Sequence, residues 1–261
     1  IGSGGYVSAA PLLAARRLGL ATAIIEPNVA PGLTNRLLGR LVDRIYLGSA
    51  AARARFAPAR TLVTGVPIRP GLPGSRGPRM NGPIRALVTG GSGGSAFLNR
   101  AAPALLAALR DRLGALDVHH QSGSGDAAAI AEAYRQAGLA ARVEPFIADM
   151  AAAYAWADVA VAAAGAVTLA ELAAVSLPAL VVPLSTAADD HQTANARAFA
   201  AAAHGQWTSE RDWDVDALSG WLAHAACAAP PATVDAARAI VDDCERELEK
   251  SDEQRVMSDE R

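Results

Sequence analysis

The sequence predicts an α/β fold with two doubly wound units in series, each built on a parallel sheet. Three observations lead to this prediction. Short apolar runs alternate with longer helical patterns along most of the 261 residues, glycine-rich turns follow several of these runs, and a segment rich in proline and glycine separates two such regions. Apolar runs joined by single helices are typical of buried parallel strands with right-handed crossovers.

The first part of the chain, residues 1–70, has the pattern of half a doubly wound unit. Gly-Ser-Gly-Gly at 2–5 resembles the turn from a strand into a helix, although the strand that should precede it is missing. We therefore expect this region to be the C-terminal part of a domain truncated at its N-terminus. Helices are predicted near residues 7–18, 33–41 and 49–55, and strands at 21–25, 44–48 and 61–64.

The second part of the chain is predicted to be a complete domain over residues 84–228. Residues 71–83 before it are predicted to be a linker, because the segment is dense in proline and glycine. Residues 229–261 are predicted to form a closing helix over 232–250 and a charged tail with a frayed end. Strands are predicted at 84–89, 116–121, 141–145, 158–163, 179–183 and 205–208, and helices at 96–113, 126–137, 149–156, 167–175, 190–203 and 214–225.

Composition excludes several classes of protein. The chain is 51% hydrophobic with a formal net charge of −2, so it is folded and has no general field for holding nucleic acid. Cys227 and Cys244 form neither a disulfide framework nor a metal pattern, which favours a reducing cytosol. We find neither a membrane span nor a signal peptide. Any membrane contact is therefore expected to be peripheral.

The most informative segment is residues 158–171, where a buried-strand pattern passes through Gly165 into a helix carrying Thr168 and Glu171. A turn of this kind directs backbone N–H groups to the carboxyl end of a parallel strand, where open α/β sheets bind ligands. Glu171 can accept both hydrogen bonds of a ribose diol, and Thr168 can donate to a phosphate. A capping arrangement of the two residues is the alternative. A nucleotide-sugar site is the leading interpretation.

Two further features suit a diphosphate. The glycine-rich run 90–95 lies between a strand and a helix, so its N–H groups can cradle phosphate, although a simple flexible turn is the alternative. The Lys-Ser/Thr ending of an ATP-type loop is absent, which argues against phosphoryl transfer. Arg69 follows another strand and can pair with phosphate across an interdomain cleft, or it can be a solvated linker arginine.

Neutral polar side chains cluster at the start of a later helix. His191 and Asn195 are four residues apart and Gln192 and Asn195 three apart, so all three can converge over the same cleft. Amides offer both donors and acceptors, as sugar hydroxyls require. Of the adjacent His119 and His120, one imidazole is expected to be a satisfied structural residue.

Taken together, these motifs resemble the MurG family of peptidoglycan glycosyltransferases over roughly residues 2–225. The family adds N-acetylglucosamine from UDP-GlcNAc to undecaprenyl-pyrophosphoryl-MurNAc-pentapeptide (lipid I), giving lipid II. The matching motifs are Gly4-Gly5-Tyr6-Val7-Ser8, Glu26-Pro27-Asn28, Pro31-Gly32-Leu33-Thr34-Asn35, Thr64-Gly65-Val66-Pro67-Ile68-Arg69, Gly90-Gly91-Ser92, His120-Gln121-Ser122-Gly123, Phe146-Ile147-Ala148-Asp149-Met150, the run 151–158, Gly165-Ala166-Val167-Thr168-Leu169-Ala170-Glu171 and His191-Gln192-Thr193-Ala194-Asn195.

The resemblance implies two Rossmann-like domains of the GT-B type, the first incomplete, in an inverting hexosyltransferase without cofactor or obligatory metal. It implies a peripheral location on the cytoplasmic side of the bacterial cell membrane, and a role in cell wall biogenesis, cell shape and cell division. The implied UDP-GlcNAc site assigns Ile147 to the uracil and Glu171 to the ribose. Its other members are Ser92, Arg69, Ala166, Val167 and Thr168 at the diphosphate, Asn28, Gln192 and Asn195 at the sugar, and Leu169, Ala170 and His191.

The sequence also departs from the family's pattern, at Pro27, Val66, Gly93 and Ala163, where polar residues are usual. Two alternatives stay open for this reason: a related UDP-sugar glycosyltransferase with another acceptor, or a non-catalytic nucleotide-sugar-binding protein. The family's catalytic loop and its histidine are expected upstream of Ile1, so we name no catalytic base and the chain as truncated can be inactive. Arg16 and Arg17 on the acceptor-side domain are expected to favour anionic lipid.

Overall fold

The structure is a computed structural model that describes residues 1–72, 82–185, 190–226 and 236–259, the last twelve by their backbone alone. The described residues form two compact units. The first contains the residues up to Ile68 together with the C-terminal helix, and the second begins at Arg69. Most of the predicted linker 71–83, the beginning of the predicted closing segment 229–261, and Cys227 lie outside the described residues.

The first unit has a parallel three-stranded sheet with the order β1-β2-β3. The chain also makes a parallel bridge from Gly2 to Ile24 beside β1. One short 3₁₀ turn precedes α1, and two more lie between β2 and β3. The strands are β1 (Ala23–Glu26), β2 (Arg44–Leu47) and β3 (Thr61–Val63), the helices are α1 (Ala9–Arg17) and α2 (Leu33–Leu38), and the 3₁₀ turns are Tyr6–Ser8, Ala50–Arg55 and Pro58–Arg60.

The C-terminal helix α9 (Ala236–Asp259) packs on the sheet of the first unit. Side chains alternate across β2, so Ile45 and Leu47 enter the core on one face while Tyr46 meets Ile240 of α9 on the other. The helix continues to Asp259, so the predicted end at residue 250 was wrong. The reason is intrinsic: Glu, Lys, Gln and Arg are strong helix formers even without an apolar stripe.

A buried polar cluster joins α9 to β2. Asp243 is 5% exposed and lies 3.2 Å from both the guanidinium of Arg44 and the hydroxyl of Tyr46, which donates to it. Glu247 accepts from the same arginine at 2.8 Å. Burial, followed by interactions with Cys244 and Asp243, raises the pKa of Tyr46, so the phenol remains a donor.

The second unit has six parallel strands in the order β6-β5-β4-β7-β8-β9, the arrangement of a Rossmann fold. This confirms the predicted α/β class, and β4, α3 and β5 have the predicted bounds. The strands are β4 (Ile84–Thr89), β5 (Leu116–Gln121), β6 (Ala140–Glu144), β7 (Val159–Ala163), β8 (Ala179–Val182) and β9 (Gly205–Trp207), and the helices are α3 (Ala96–Leu113), α4 (Ala127–Gln136), α5 (Met150–Trp156), α6 (Ala166–Ala174), α7 (His191–Ala201) and α8 (Val215–Ala225).

Helices cover both faces of this sheet, and the strand pattern explains why. Val88 points into a core formed with α3, α4 and α8, whereas its neighbour Leu87 points into a second core formed with α5, α6 and α7. All five residues of β7 are buried, so this strand reads as a continuous apolar run. Among the described residues, no helix combines the length and apolarity needed to cross a bilayer.

The cluster at Asp243 predicts a specific stability effect. Changing Asp243 to Ala leaves Arg44 paired with Glu247 but removes the carboxylate that accepts from the Tyr46 hydroxyl, and losing a hydrogen bond to a charged group costs about 1.5–3 kcal/mol. We expect a loss of that size in the free energy of unfolding measured by urea denaturation. Asp242→Ala, one residue away on the exposed side of α9, is the control. Equal losses in the two variants would contradict the assignment.

Candidate functional site

The predicted binding residues of the second unit lie at one edge of its sheet. Because all six strands are parallel, the loops after β4, β6, β7 and β8 leave at the same edge. Ser92 follows β4, Ile147 follows β6, Glu171 lies in the helix after β7, and Gln192 lies in the helix after β8. The strand order reverses between β4 and β7, which is where open α/β sheets form a binding crevice.

The base of the glycine-rich turn after β4 is closely packed, whereas Gly91 and Gly93 at its tip have open space beside them. Gly94 has φ +75°, and a Cβ there would lie 2.3 Å from the carbonyl oxygen of Ser122. The amide of Gly91 donates to Thr89 Oγ1 at 3.1 Å, and Ser95 Oγ caps α3 by accepting from Leu98 N. Ser92 is exposed at the tip of the turn. The packed base therefore holds the exposed Ser92 at this edge of the sheet.

A buried histidine orders the loop after β5, and the glycine-rich turn packs against this loop. His120 Nδ1 lies 2.9 Å from the hydroxyl of Tyr134, and its Nε2 lies 3.0 Å from Asn99 Oδ1. Asn99 Nδ2 in turn donates to the carbonyl of Ser122 at 3.0 Å. Burial first, and then the neighbouring His119, lower the pKa of His120 to about 4, so the imidazole is neutral. The prediction of a satisfied structural imidazole is confirmed for His120.

Glu171 is a buried carboxylate with two partners. It is 3% exposed, accepts from Arg69 Nε at 2.6 Å, and accepts from the hydroxyl of Tyr154 at 2.9 Å. Burial and then the charge of Glu171 raise the pKa of Tyr154, which keeps the phenol protonated. The sequence assigned Tyr154 no role, because it lies on α5 and nothing in the local pattern connects it to Glu171.

The start of α6 does not use the capping arrangement of Thr168 and Glu171 that the sequence left open as an alternative. Gly165 is the N-cap residue, has extended backbone and makes no side-chain cap hydrogen bond. Over the first two turns Val167 is exposed, Thr168 is half-buried and Leu169 enters the core, with Ala166 and Ala170 half-buried beside them. The N-terminal end of a helix carries a partial positive charge, so this end of α6 suits an anion.

Two amides tie α7 to neighbouring loops at the same edge. Gln192 Oε1 accepts from the amide of Leu184 at 3.0 Å, and Asn195 Nδ2 donates to the carbonyl of Ala164 at 3.4 Å. Asn195 is 4% exposed. His191 is the first residue of α7. The structure thus places these three residues beside the turns after β7 and β8, and their contact with a sugar stays a prediction.

Asn28 belongs to the first unit, where a second buried carboxylate orders its loop. Glu26 is 1% exposed, and its Oε1 accepts from the backbone N of Asn28 at 2.9 Å and from Asn28 Nδ2 at 3.1 Å. Its Oε2 accepts from Asn35 Nδ2 at 2.9 Å and from Gly32 N at 3.3 Å. Four hydrogen bonds therefore hold residues 28–35 to the end of β1.

Gln121 is another residue to which the sequence assigned no role. Its Nε2 donates to the carbonyl of Gly91 at 2.7 Å, and its Oε1 accepts from the amide of Ile147 at 3.0 Å. The backbone N–H of Ile147, one of the predicted uracil contacts, is thus already engaged. In the sequence the position is the end of a strand and part of the motif His120-Gln121-Ser122-Gly123, and neither signal indicates bonds to two distant loops.

A doubly wound sheet with a glycine-rich turn and a buried carboxylate beside its switch point is typical of nucleotide-binding α/β proteins. Comparison with known proteins narrows the class. The model of the glycosyltransferase family 28 C-terminal domain matches residues 85–231, and that of the family 28 N-terminal domain matches residues 1–47. The chain therefore belongs to glycosyltransferase family 28 and, within it, to the MurG family.

Individual relatives give the same result. A UDP-N-acetylglucosamine--N-acetylmuramyl-(pentapeptide) pyrophosphoryl-undecaprenol N-acetylglucosamine transferase from Aeromonas hydrophila is 39% identical, over 94% of this chain and 71% of its own length. A protein of the same name from Xylella fastidiosa strain M12 is 44% identical over 76% of this chain, and there the match spans about half (54%) of the relative. The crystal structure of Acinetobacter baumannii MurG superposes with a TM-score of 0.72 at 31% identity, covering 94% of this chain and 73% of that one.

The low pKa of His120 predicts a pH dependence of stability. In the unfolded chain this imidazole titrates near 6.5, whereas in the folded protein it titrates near 4. Between these values the unfolded state binds a proton that the folded state does not, so stability is complete above pH 6.5 and falls as the pH is lowered. The pKa difference predicts a loss of about 3 kcal/mol by pH 4.

Urea unfolding at several pH values measures this slope. We expect His120→Asn to be less stable at neutral pH and to lack this part of the pH dependence. His224→Asn, which changes an exposed histidine on α8, should keep the wild-type slope. An unchanged slope in His120→Asn would show that other groups cause the acid sensitivity.

Proposed function

We propose that this chain carries the donor site of an inverting glycosyltransferase that moves N-acetylglucosamine from UDP-GlcNAc to lipid I, forming lipid II for peptidoglycan synthesis. The observation that carries this proposal is the buried Glu171 at the start of α6, held by Arg69 and Tyr154 in a chain of the MurG family. The transferase names of the Aeromonas and Xylella relatives support the same reaction.

Glu171 is the proposed ribose ligand. A carboxylate has about four lone-pair positions, so two hydrogen bonds from protein groups leave room for two more from a diol. Tyr154 keeps one oxygen in place when the other changes partners. The carboxylate is already buried, so little further desolvation is needed when the ribose binds.

The diphosphate is assigned to Ser92, to the helix start at Ala166-Val167-Thr168, and to Arg69. The positive end of α6 and a guanidinium both stabilise negative charge, and this charge grows on UDP as the glycosidic bond breaks. Interactions that strengthen with the departing charge lower the barrier, whereas those equal in substrate and transition state do not. In this way the donor site itself contributes to catalysis. We assign no catalytic base to a residue of this chain.

The two ends of the donor are assigned to the remaining predicted residues. The peptide groups around Ile147 read the uracil, and because the N–H of Ile147 is bonded to Gln121, a carbonyl of this segment is the proposed partner of uracil N3–H. The transferred sugar is assigned to Gln192, Asn195 and His191, and to Asn28 of the first unit. Leu169 and Ala170 complete the turn of α6 that bears Glu171.

Calorimetric titration of the chain with UDP-GlcNAc tests the proposal, with UDP-GalNAc and UDP-glucose as competitors for specificity. Selective binding of UDP-GlcNAc is expected. In Glu171→Gln the ribose loses a charged acceptor, which is worth about 1.5–3 kcal/mol or at least tenfold in affinity. Glu132→Gln on α4, where the side chain is 40% exposed, should bind normally.

Each contrary outcome has a distinct meaning. A folded chain that binds no UDP-sugar would refute the donor site. Equal affinity for all three UDP-sugars would favour a related transferase with other substrates, as the departures at Pro27, Val66, Gly93 and Ala163 suggest. Product analysis with lipid I and other lipid-linked acceptors then identifies the acceptor.

We further propose that the protein acts peripherally at the cytoplasmic face of the membrane, where lipid I is accessible. Helix α1 supports this location, because Arg16 and Arg17 lie beside the exposed side chains of Leu13 and Leu18. Arginine attracts anionic headgroups, and exposed leucine gains by entering the acyl boundary. We therefore assign membrane binding to the acceptor-side domain, which is the first unit.

Vesicle sedimentation tests this assignment. Changing Arg16 and Arg17 together to Glu is expected to weaken binding to phosphatidylglycerol vesicles, since each basic residue near such a surface contributes about 1 kcal/mol. Arg110→Glu with Arg112→Glu, at the end of α3 in the second unit, is the charge-matched control. Unchanged vesicle binding in the α1 variant would refute the assignment.

A further inference from the structure

We infer that Gln121 is a positioning residue that sets the orientation of two peptide groups, one facing the diphosphate and one facing the base of the nucleotide. The inference rests on the proposed function. The proposed role makes base selectivity and phosphate binding depend on one buried side-chain amide.

The sheet gives Gln121 access to two loops. Gln121 is the last residue of β5, which lies between β4 and β6 in the sheet. It is in register with Thr89 on one side and with Glu144 on the other, so the loops that follow both strands begin next to it. Its side chain is 3% exposed and bonds to one loop with each end of its amide.

The first bond fixes the peptide group between Gly91 and Ser92. In a trans peptide the carbonyl and the following N–H point in opposite directions. Because the Gly91 carbonyl is held inward by Gln121 at 2.7 Å, and also accepts from Gly94 N at 3.1 Å, the N–H of Ser92 is directed away from the sheet. That N–H belongs to the exposed tip of the turn assigned to the diphosphate.

The second bond fixes the peptide group between Phe146 and Ile147. Here the N–H is drawn inward to Gln121 at 3.0 Å, so the Phe146 carbonyl is directed the opposite way. A carbonyl is an acceptor, which matches the N3–H donor of uracil and conflicts with N3 of cytosine, an acceptor itself. The orientation of one peptide therefore discriminates between uracil and cytosine nucleotides.

Only an uncharged amide satisfies both loops, because one bond needs a donor and the other an acceptor. Methionine has a similar length and makes neither bond. Glutamate keeps an acceptor for Ile147 N, but its ionised form cannot donate to Gly91. A buried glutamic acid has a raised pKa and regains an O–H donor when protonated. The two variants thus test the bond to Gly91 and the bond from Ile147 separately.

Calorimetric titration with UDP, CDP, uridine and UDP-GlcNAc measures how each of the two bonds affects binding. In Gln121→Met we expect UDP-GlcNAc affinity to fall on the order of tenfold to a hundredfold, since two hydrogen bonds are lost. The preference for UDP over CDP should become smaller, and so should the gain in affinity from uridine to UDP. A purely structural defect would weaken the binding of all ligands alike. The affinity ratios of UDP to CDP and of UDP to uridine would then be unchanged.

Gln121→Glu tests the bridge even if the methionine variant does not fold. We expect it to keep the preference for UDP over CDP, to bind UDP-GlcNAc weakly near pH 8, and to regain affinity near about pH 5.5 as the carboxyl protonates. UDP-GlcNAc is suitable for this comparison because its diphosphate keeps a constant charge over that range. Gln136→Met, on the exposed face of α4, and the wild-type chain are the controls at both pH values.

The possible failures are distinguishable. A wild-type chain that binds no UDP refutes the proposed function itself. A wild-type chain that binds UDP, together with a Gln121→Met variant whose two ratios are unchanged or a Gln121→Glu variant without recovery at low pH, refutes the role of Gln121 alone.

Discussion

The parallel direction of all six strands in the second unit is the constraint on which the rest of its site depends. Parallel strands require crossover helices, which bury both faces of the sheet and leave only its ends for ligands. Every loop after a strand then emerges at one edge. The glycine-rich turn, the Ile147 segment and the start of α6 are neighbours for this reason, although they are separated by dozens of residues in the sequence.

Placing loops at one edge does not fix their conformations, and buried polar side chains do this in both units. Glu26 holds the 28–35 loop with four hydrogen bonds, and Gln121 holds two loops with two. His120, neutral because it is buried, bonds to Asn99, which donates to the Ser122 carbonyl against which the glycine-rich turn packs. Burying each of these polar side chains costs free energy unless it is hydrogen-bonded. The loop conformations that allow these hydrogen bonds are therefore stabilised.

Periodicity alone predicted the elements of the second unit well. The bounds of β4, α3 and β5 follow from an apolar run, a capping serine at Ser95 and Gly114 at the helix end, all of which are local signals. Helix α9 ran further than predicted, because a charged sequence with strong helix formers has no stop signal. The candidate ligand residues could likewise be placed at strand ends by pattern and by family resemblance.

The partners of those residues could not be predicted, because they are set by packing between distant elements. The bond from Tyr154 to Glu171 joins α5 to α6, and Gln121 joins the two loops that follow β4 and β6. Nothing in the residue types distinguishes these contacts from solvent-facing side chains. A residue's pattern thus indicates where it lies on the sheet, and its three-dimensional neighbours decide what it can bind.

The pairing of Arg69 with Glu171 shows how such neighbours shape the proposed reaction. The guanidinium neutralises a buried carboxylate, so neither charge is left uncompensated. An arriving diphosphate brings further negative charge to the same guanidinium, which has five N–H donors and can serve two anions at once. Tyr154 continues to hold the carboxylate while Arg69 is shared. Charge that develops on the departing UDP then draws the guanidinium more strongly toward the phosphate, which is the differential stabilisation that catalysis requires.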